Sequence, residues 1–371
     1  MNHRERLLTT IRGNRADRVP LALEGLDFAT RAELAAHPDA NLRELAGRCF
    51  DHMAGDRVTP SFVNSYLVTP PQFMRQSERT ETADGTVTTV TQIDTPKGPL
   101  SAVTSCNPAG DTTWQVSYPV ESLEEIDCIR SVPWELPAGL RPPDPSQWPD
   151  DSRRRCISRV NISSPFVCVA GMMPYQYFLE LCATELGLIT ELTEVCHRRT
   201  ADVLDVLLAG GHIEYVWMGG CEWLTPPMAS PQLYERLVQP FEADLIRRCH
   251  DAGALVHLHC HGNVRSTLEL TIRRGADLFE PVEPPPDGDI PFAEAKELAA
   301  GRMTLGGNVE ARILAYGTPD EVEAATRAAF EGTKRRMILR TSVGPLGPVT
   351  DRMLANYHRL IDVWEELSPL G

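Results

Sequence analysis

The order of elements along this chain predicts an α/β fold: a (β/α)8 TIM barrel carrying a small antiparallel β insertion in its N-terminal third. Three observations predict it. From about residue 155, short apolar strands alternate with amphipathic helices, and repeated units of this kind build a parallel sheet with right-handed crossovers. The strand ends are rich in Ser, Gly, Glu and His, as befits the C-terminal rim of a barrel. Residues 77–105 instead alternate in β fashion between turn residues, as antiparallel hairpins do. No sequence pattern separates a closed barrel from an open sheet, which stays the alternative.

Taken in order, residues 18–23 (Arg-Val-Pro-Leu-Ala-Leu) read as a first barrel strand. The insertion follows, with Asp84-Gly85 and Pro96-Lys97-Gly98 as its turns. Residues 133–150 are rich in proline and read as an irregular connection inside one domain spanning 1–371. Residues 159–170 read as a strand and its loop, 175–210 as helix, and 212–218 as the next strand. Ser230 caps a helix with Pro231 at its first position; Leu233, Leu237, Phe241, Leu245 and Cys249 recur every four residues until Gly253. Pro240 should kink that helix. A strand over 254–261, a helix near 264–274, a strand with its loop over 276–283, and a helix over 290–300 follow. Residues 303–309 are the next strand. Thr318 to Glu321 form a capping box, residues 336–343 make a strand, and Thr350 caps the last helix.

At 371 residues, 42% of them hydrophobic and 23% charged, the composition is globular. A net charge of -15 argues against nucleic acid as a partner, because phosphate binding needs a basic surface. No stretch reaches the ~18 apolar residues of a membrane span, and the charged first residues lack the apolar run of a signal peptide. Ten cysteines are scattered without a CxxC pair, so a reducing, cytoplasmic compartment is expected.

The most informative segment is 254–263, Ala-Leu-Val-His-Leu-His-Cys-His-Gly-Asn. Successive side chains of a strand point to opposite faces. His257, His259 and His261 therefore share one face, while Val256, Leu258 and Cys260 share the other and suit packing against helices. Neutral imidazoles at i and i+2 reach one metal ion. A single histidine of this kind is usually a satisfied core or strand-end residue; three on one face point to a site.

The chain resembles the uroporphyrinogen decarboxylase-like superfamily. The resemblance rests on Arg4-Glu-Arg-Leu-Leu-Thr-Thr-Ile-Arg-Gly13 with Asp17-Arg-Val-Pro20, and on Thr95-Pro-Lys-Gly-Pro-Leu100. Further on it rests on Ser230-Pro231 with Tyr234, His259-Cys-His-Gly-Asn263, Gly275-Ala-Asp277 with Glu283-Pro-Pro-Pro286, Gly307-Asn-Val-Glu310 and Gly317-Thr-Pro-Asp-Glu-Val322. It looks most similar to the branch of cobamide-dependent methyltransferases. Two departures matter. The arginine-rich segment that holds porphyrinogen carboxylates is replaced by Glu24-Gly-Leu-Asp-Phe-Ala29, so porphyrinogen decarboxylation is not expected. The zinc-binding pattern of the methyltransferases, a His-x-Cys pair and a cysteine on the last strand, is also altered. His261 stands at the first cysteine position, and residues 338–344 have no cysteine.

What the resemblance implies is a methyltransferase moving a methyl group between a corrinoid and a small thiol or folate acceptor. The corrinoid would be supplied by a partner protein, because no corrinoid-binding Asp-x-His-x-x-Gly segment is present. A homodimer is a further expectation. Candidate ligands for zinc or a similar divalent metal are His259, His261, Glu283 and Cys221. Glu283 stands where the family has a glutamate; its plain alternative is an ion pair or a cap in a proline-rich loop. Cys221 would supply the missing thiolate; its alternative is a small buried residue. Candidate catalytic groups are Glu222, on the loop after a strand, His257, which is deeper and equally suited to a supporting or core role, and Asn308. Glu310 shares the strand end of Asn308, and Trp217 and Trp223 would floor the pocket or belong to the core. A second reading is a decarboxylase or lyase acting on a small carboxylated substrate, with the histidines as proton donors. A third is a non-catalytic binding barrel, against which the clustered histidines and acids count.

Overall fold

A computed structural model describes residues 1–58, 66–80, 85–107 and 112–371. Eight parallel strands carry the fold: β1 (Leu21–Ala22), β2 (Gly55–Val58), β7 (Cys156–Ser163), β8 (Tyr215–Gly219), β9 (Leu255–His259), β10 (Leu278–Glu280), β11 (Thr304–Gly306) and β12 (Met337–Arg340). The other four, β3 (Met74–Thr80), β4 (Val87–Ile93), β5 (Leu100–Asn107) and β6 (Thr112–Ser117), form a separate antiparallel sheet.

The parallel strands pair in the order β1-β12-β11-β10-β9-β8-β7-β2, the neighbour sequence of a barrel. The sheet is curled, because the first inward residues of its strands meet in one cluster: Ala22, Tyr215, Leu255, Leu278 and Ile338 gather with Ala54 and Ile157 around Leu7, Leu8 and Ile11. Those last three belong to the helix His3–Ile11, capped by Asn2 and Glu5 in a reciprocal box. This helix plugs the N-terminal end of the strands. On β11 the inward position is Thr304, whose hydroxyl donates to the carbonyl of Thr10 at 3.0 Å.

Closure is less complete than the expected (β/α)8 barrel. Among the described residues no ladder joins β1 to β2. β1 has only two residues, because Pro20 before it has no N–H to give and the chain then turns at Gly25 (φ +74°). The segment after that turn fills the gap: a Cβ on Gly55 of β2 would sit 3.0 Å from the carbonyl oxygen of Phe28.

The insertion is a meander as expected, but larger than 77–105, with four antiparallel strands from Met74 to Ser117. The turn at Gly98 between β4 and β5 stands as expected, its N–H donating to Thr95 at 3.2 Å; Asp84 of the other turn lies outside the described residues. β2 has no counterpart in the sequence reading. The 175–210 helix is two helices, Tyr175–Thr184 and Leu186–Leu208, and the proline-bearing helix breaks at Val238, between Pro231–Leu237 and Gln239–Asp251. The caps at Ser230, Thr318 and Thr350 all form.

Candidate functional site

The alternation along β9 holds. Val256, Leu258 and Cys260 are buried on the outer side against the helices, in the main apolar core. His257 and His259 point inward, and His261 follows beyond the strand end. Opposite them, β10 runs parallel with Leu278 in register with His257 and Glu280 in register with His259.

Glu280 is the hub. One oxygen, Oε1, receives both His257 Nε2 at 2.5 Å and His259 Nδ1 at 2.8 Å. Its Oε2 lies 3.3 Å from Arg340 Nε of β12. Two strands over, that contact is open only because β11 offers Gly306 at the inward position between them: a Cβ there would stand 2.7 Å from both Glu280 Cβ and Arg340 Cδ. Burial raises the Glu280 carboxyl, but Arg340 and the two imidazoles outweigh it and hold the group well below its ordinary range.

An ionised carboxylate only accepts hydrogen bonds, and this fixes both tautomers. His257 carries its proton on Nε2, so its Nδ1 accepts from the hydroxyl of Tyr215 on β8. Burial, opposed by Glu280, pushes His257 down to about 4. His259 carries its proton on Nδ1, which leaves Nε2 with a lone pair and, among the described residues, no hydrogen bond. Burial lowers His259, but Glu280 and then Glu222 more than offset it, so the ring holds a second proton more readily than a free imidazole. His261 repeats the pattern one step out: its Nδ1 meets Glu283 Oε1 at 3.0 Å, while Glu283 Oε2 accepts from the Gly262 N–H at 2.7 Å. The two rings stand edge to face with centroids 4.6 Å apart.

Around this column, Trp217 lies against His259 with centroids 5.2 Å apart. Its ring crosses the bare backbone of Gly219, where a Cβ would meet it at 2.4 Å. Arg159 of β7 covers the same indole. An inner cavity is lined by Ala22, Glu24, Met53, Arg159, Tyr215 and Arg340. At the rim of β11, Asn308 donates through Nδ2 to Glu310 Oε1, and its buried Oδ1 has no partner. Burial, with Glu283 and Asp287 adding to it, pushes Glu310 up to about 8. A carboxylic acid that keeps its proton at neutral pH therefore sits beside one that takes hydrogen bonds.

The predicted site residues fall into two groups. His257, His259, His261 and Glu283 come together as described, with Glu283 holding His261 at Nδ1. Cys221 does not join them, and Glu222 reaches His259 through its charge. Both lie with Cys260, the three ligand atoms all within 4.8 Å of one another; among the described residues this is the one such trio of His, Cys, Asp or Glu. Trp217 faces inward as a floor, whereas Trp223 packs on Tyr175, centroids 5.4 Å apart. Sequence reasoning missed Glu280, Arg340 and Tyr215. The signal for Glu280 was available: an acid two residues after Leu278, inside an apolar run, on the strand next to the histidines.

The imidazole column suits a divalent metal in its orientation. Both rings are tied at Nδ1 to carboxylates and present Nε2, the arrangement that supports metal-binding histidines. A last-strand thiolate is lacking, since Ser342 and its neighbours carry none.

The comparisons with known proteins fit this architecture. Over nearly the whole of both chains, 97% of each, the fold is similar to that of a methyltransferase from Methanosarcina mazei, with a TM-score of 0.59 and 13% identity. A B12-independent methionine synthase from Shewanella sp. W3-18-1 gives a TM-score of 0.35 and 9% identity over 58% of this chain and 64% of that one. No curated protein matches the sequence. The uroporphyrinogen decarboxylase (URO-D) family model matches residues 156–366, from β7 through the last helix. That is more than half of the chain and includes every strand that builds the imidazole column, so the chain belongs to the URO-D family.

Proposed function

We propose that this protein is a methyltransferase of the corrinoid-linked type, moving a methyl group between a corrinoid carried by a partner protein and a small thiol or folate acceptor. The paired imidazoles carry this reading: His259 and His261, each oriented at Nδ1 by a carboxylate, stand with ring centroids 4.6 Å apart at the end of β9. The whole-length likeness to a methyltransferase fold supports it by analogy only. His259 and His261 would hold a divalent ion such as zinc, which when bound lowers the pKa of a thiol or water at neutral pH.

The chain's own residues do the positioning. Glu280 accepts one N–H hydrogen bond from each of two rings, so His259 is held in the tautomer that exposes Nε2. Arg340 keeps Glu280 ionised, and Tyr215 completes the line behind His257. Glu283 sets His261 the same way. Trp217 and the buried wall restrict water on one side of His259. Arg159 and Arg340, beside the inner cavity, offer cationic groups to an anionic acceptor.

A second reading, a decarboxylase or lyase, is favoured by one observation: Glu310 keeps its proton to about 8, as a general acid at neutral pH needs. Incubating the protein with methylcobalamin and thiol or tetrahydrofolate acceptors decides between them. Loss of the methyl group, reduced roughly tenfold or more in His261→Ala at an unchanged melting temperature, supports methyl transfer. No demethylation, with carbon dioxide released from a carboxylated substrate, supports the lyase.

A further inference from the structure

The trio of Cys221, Glu222 and Cys260 is a second cluster next to the imidazole column, with the charge of Glu222 reaching His259. Cys260 follows His259 directly, so strand alternation turns it to the opposite side of the wall. It is 1% exposed, as is Cys221. Cys221 opens the loop after β8, where Gly220 (φ +112°) turns the chain in a conformation few side chains tolerate, and a Cβ there would strike Val167 at 2.8 Å. That turn sets the Cys221 Sγ against the carbonyl oxygen of His259 at 3.8 Å and beside Cys260. Glu222 completes the group from the same loop, and its Oε2 is buried with no hydrogen-bond partner.

A buried carboxylate oxygen left unpaired costs about 1–3 kcal/mol or more, and two thiols do little to satisfy it. A cation between the three would. We propose that Cys221, Cys260 and Glu222 form a binding site for a thiophilic divalent ion of the zinc class, distinct from the imidazole column. Ligand atoms within 4.8 Å of one another need tighten only modestly to reach the ~2.0–2.3 Å bonds of a tetrahedral zinc. Two thiolates with one carboxylate is a donor set that prefers zinc or cobalt over magnesium or calcium. Glu222 is the half-buried member, so solvent reaches the fourth position from its side. In binding, each thiol loses its proton to solvent as a sulfur–metal bond forms, two protons per ion. No redox change is involved.

Cobalt(II) titration of the full chain, stripped with a chelator and kept anaerobic, tests the proposal. One equivalent should produce a thiolate-to-cobalt charge-transfer band with the intense visible bands of tetrahedral cobalt. Cys221→Ser and Cys260→Ser should each abolish it, and Glu222→Gln should weaken binding tenfold or more. His259→Ala and, as a control for buried cysteines, Cys196→Ser should leave it. Where a cysteine variant does not fold, X-ray absorption on the His259→Ala chain loaded with one equivalent of zinc counts the sulfurs, and two are expected. Absence of the band in the unsubstituted chain, its persistence in both cysteine variants, its loss in His259→Ala, or a zinc shell without sulfur overturns the proposal.

Discussion

Two carboxylates lie fully buried on opposite sides of the parallel sheet, and they are kept differently. Inside, Glu280 meets two imidazoles and a guanidinium and is held ionised well below its ordinary range. Outside, Glu242 has one cation, Arg274, at 2.6 Å; burial raises its pKa, Arg274 opposes, and Glu222 nearby adds to the rise. Tyr234 and Thr271 bond the same guanidinium. The outer pair locks helices Pro231–Leu237, Gln239–Asp251 and Leu268–Arg274 together. The inner group spends its acceptor capacity on orienting two rings, of which His259 keeps a nitrogen without a hydrogen bond among the described residues. A buried ion pair thus serves packing where its partners face each other, and chemistry where one partner keeps a free face.

Breaking the outer pair should cost most. Arg274→Ala leaves Glu242 buried without a counter-charge and should lower stability by about 3–5 kcal/mol in urea unfolding, while Arg274→Met with Glu242→Leu recovers most of it. A loss below ~1 kcal/mol for the single change would mean that the pair is not sealed as described.

The inner hub should divide the other way. Glu280→Gln keeps the volume but removes the charge, so turnover and metal affinity should fall about 10–100-fold. Histidine NMR should find the His259 pKa lower than in the parent protein. Equal loss of stability and activity would place Glu280 with Glu242 as a packing residue. Gly306→Ala probes the same hub through its backbone. The added methyl collides with Glu280 and Arg340 and should cost about 1–3 kcal/mol, with activity falling as Arg340 is pushed aside. Tyr215→Phe removes one hydrogen bond at the far end of the line and should cost about 1 kcal/mol, with a smaller effect on turnover than Glu280→Gln.

The gentlest test uses pH. Glu310 has a folded pKa of about 8 against an ordinary 4.5. Between those values the folded chain keeps a proton that the unfolded chain releases, so this group lowers stability as pH rises from 4.5 to 8, and the full loss is present above 8. Glu310→Gln should therefore gain melting temperature relative to the parent as pH moves from 5 to 8.5. A flat difference across that range would show that Glu310 titrates normally.

Much of this was legible from residue order. The period-two histidines, the capping residues and the strand–helix alternation are local signals, and each led to the right element. What stayed hidden depends on contacts between distant segments. Glu280 and Arg340 are 60 positions apart and meet only because Gly306 sits between their strands. Glu283 was read as a ligand, yet its geometry is that of an orienting group, which no linear spacing reveals. Cys221 and Glu222 were drawn toward the histidines because all end neighbouring strands; the turn at Gly220 sets them beside Cys260. β2 escaped notice because four residues, Gly-Asp-Arg-Val, carry no period long enough to see.

The plug at the base of the strands has a consequence for how the chain is made. The helix His3–Ile11 is synthesised early, but its carbonyl at Ile11 waits for Arg336, and Val19 receives the indole N–H of Trp364. These contacts span more than 300 positions. A nascent chain can offer Leu7, Leu8 and Ile11 only part of their apolar partners until Leu278 and Ile338 have been made. Contacts of such separation slow folding, and an apolar helix left waiting is a target for chaperones. Protection of the first eleven residues from proteolysis should therefore arrive as the final event of folding, after the central strands are already secure.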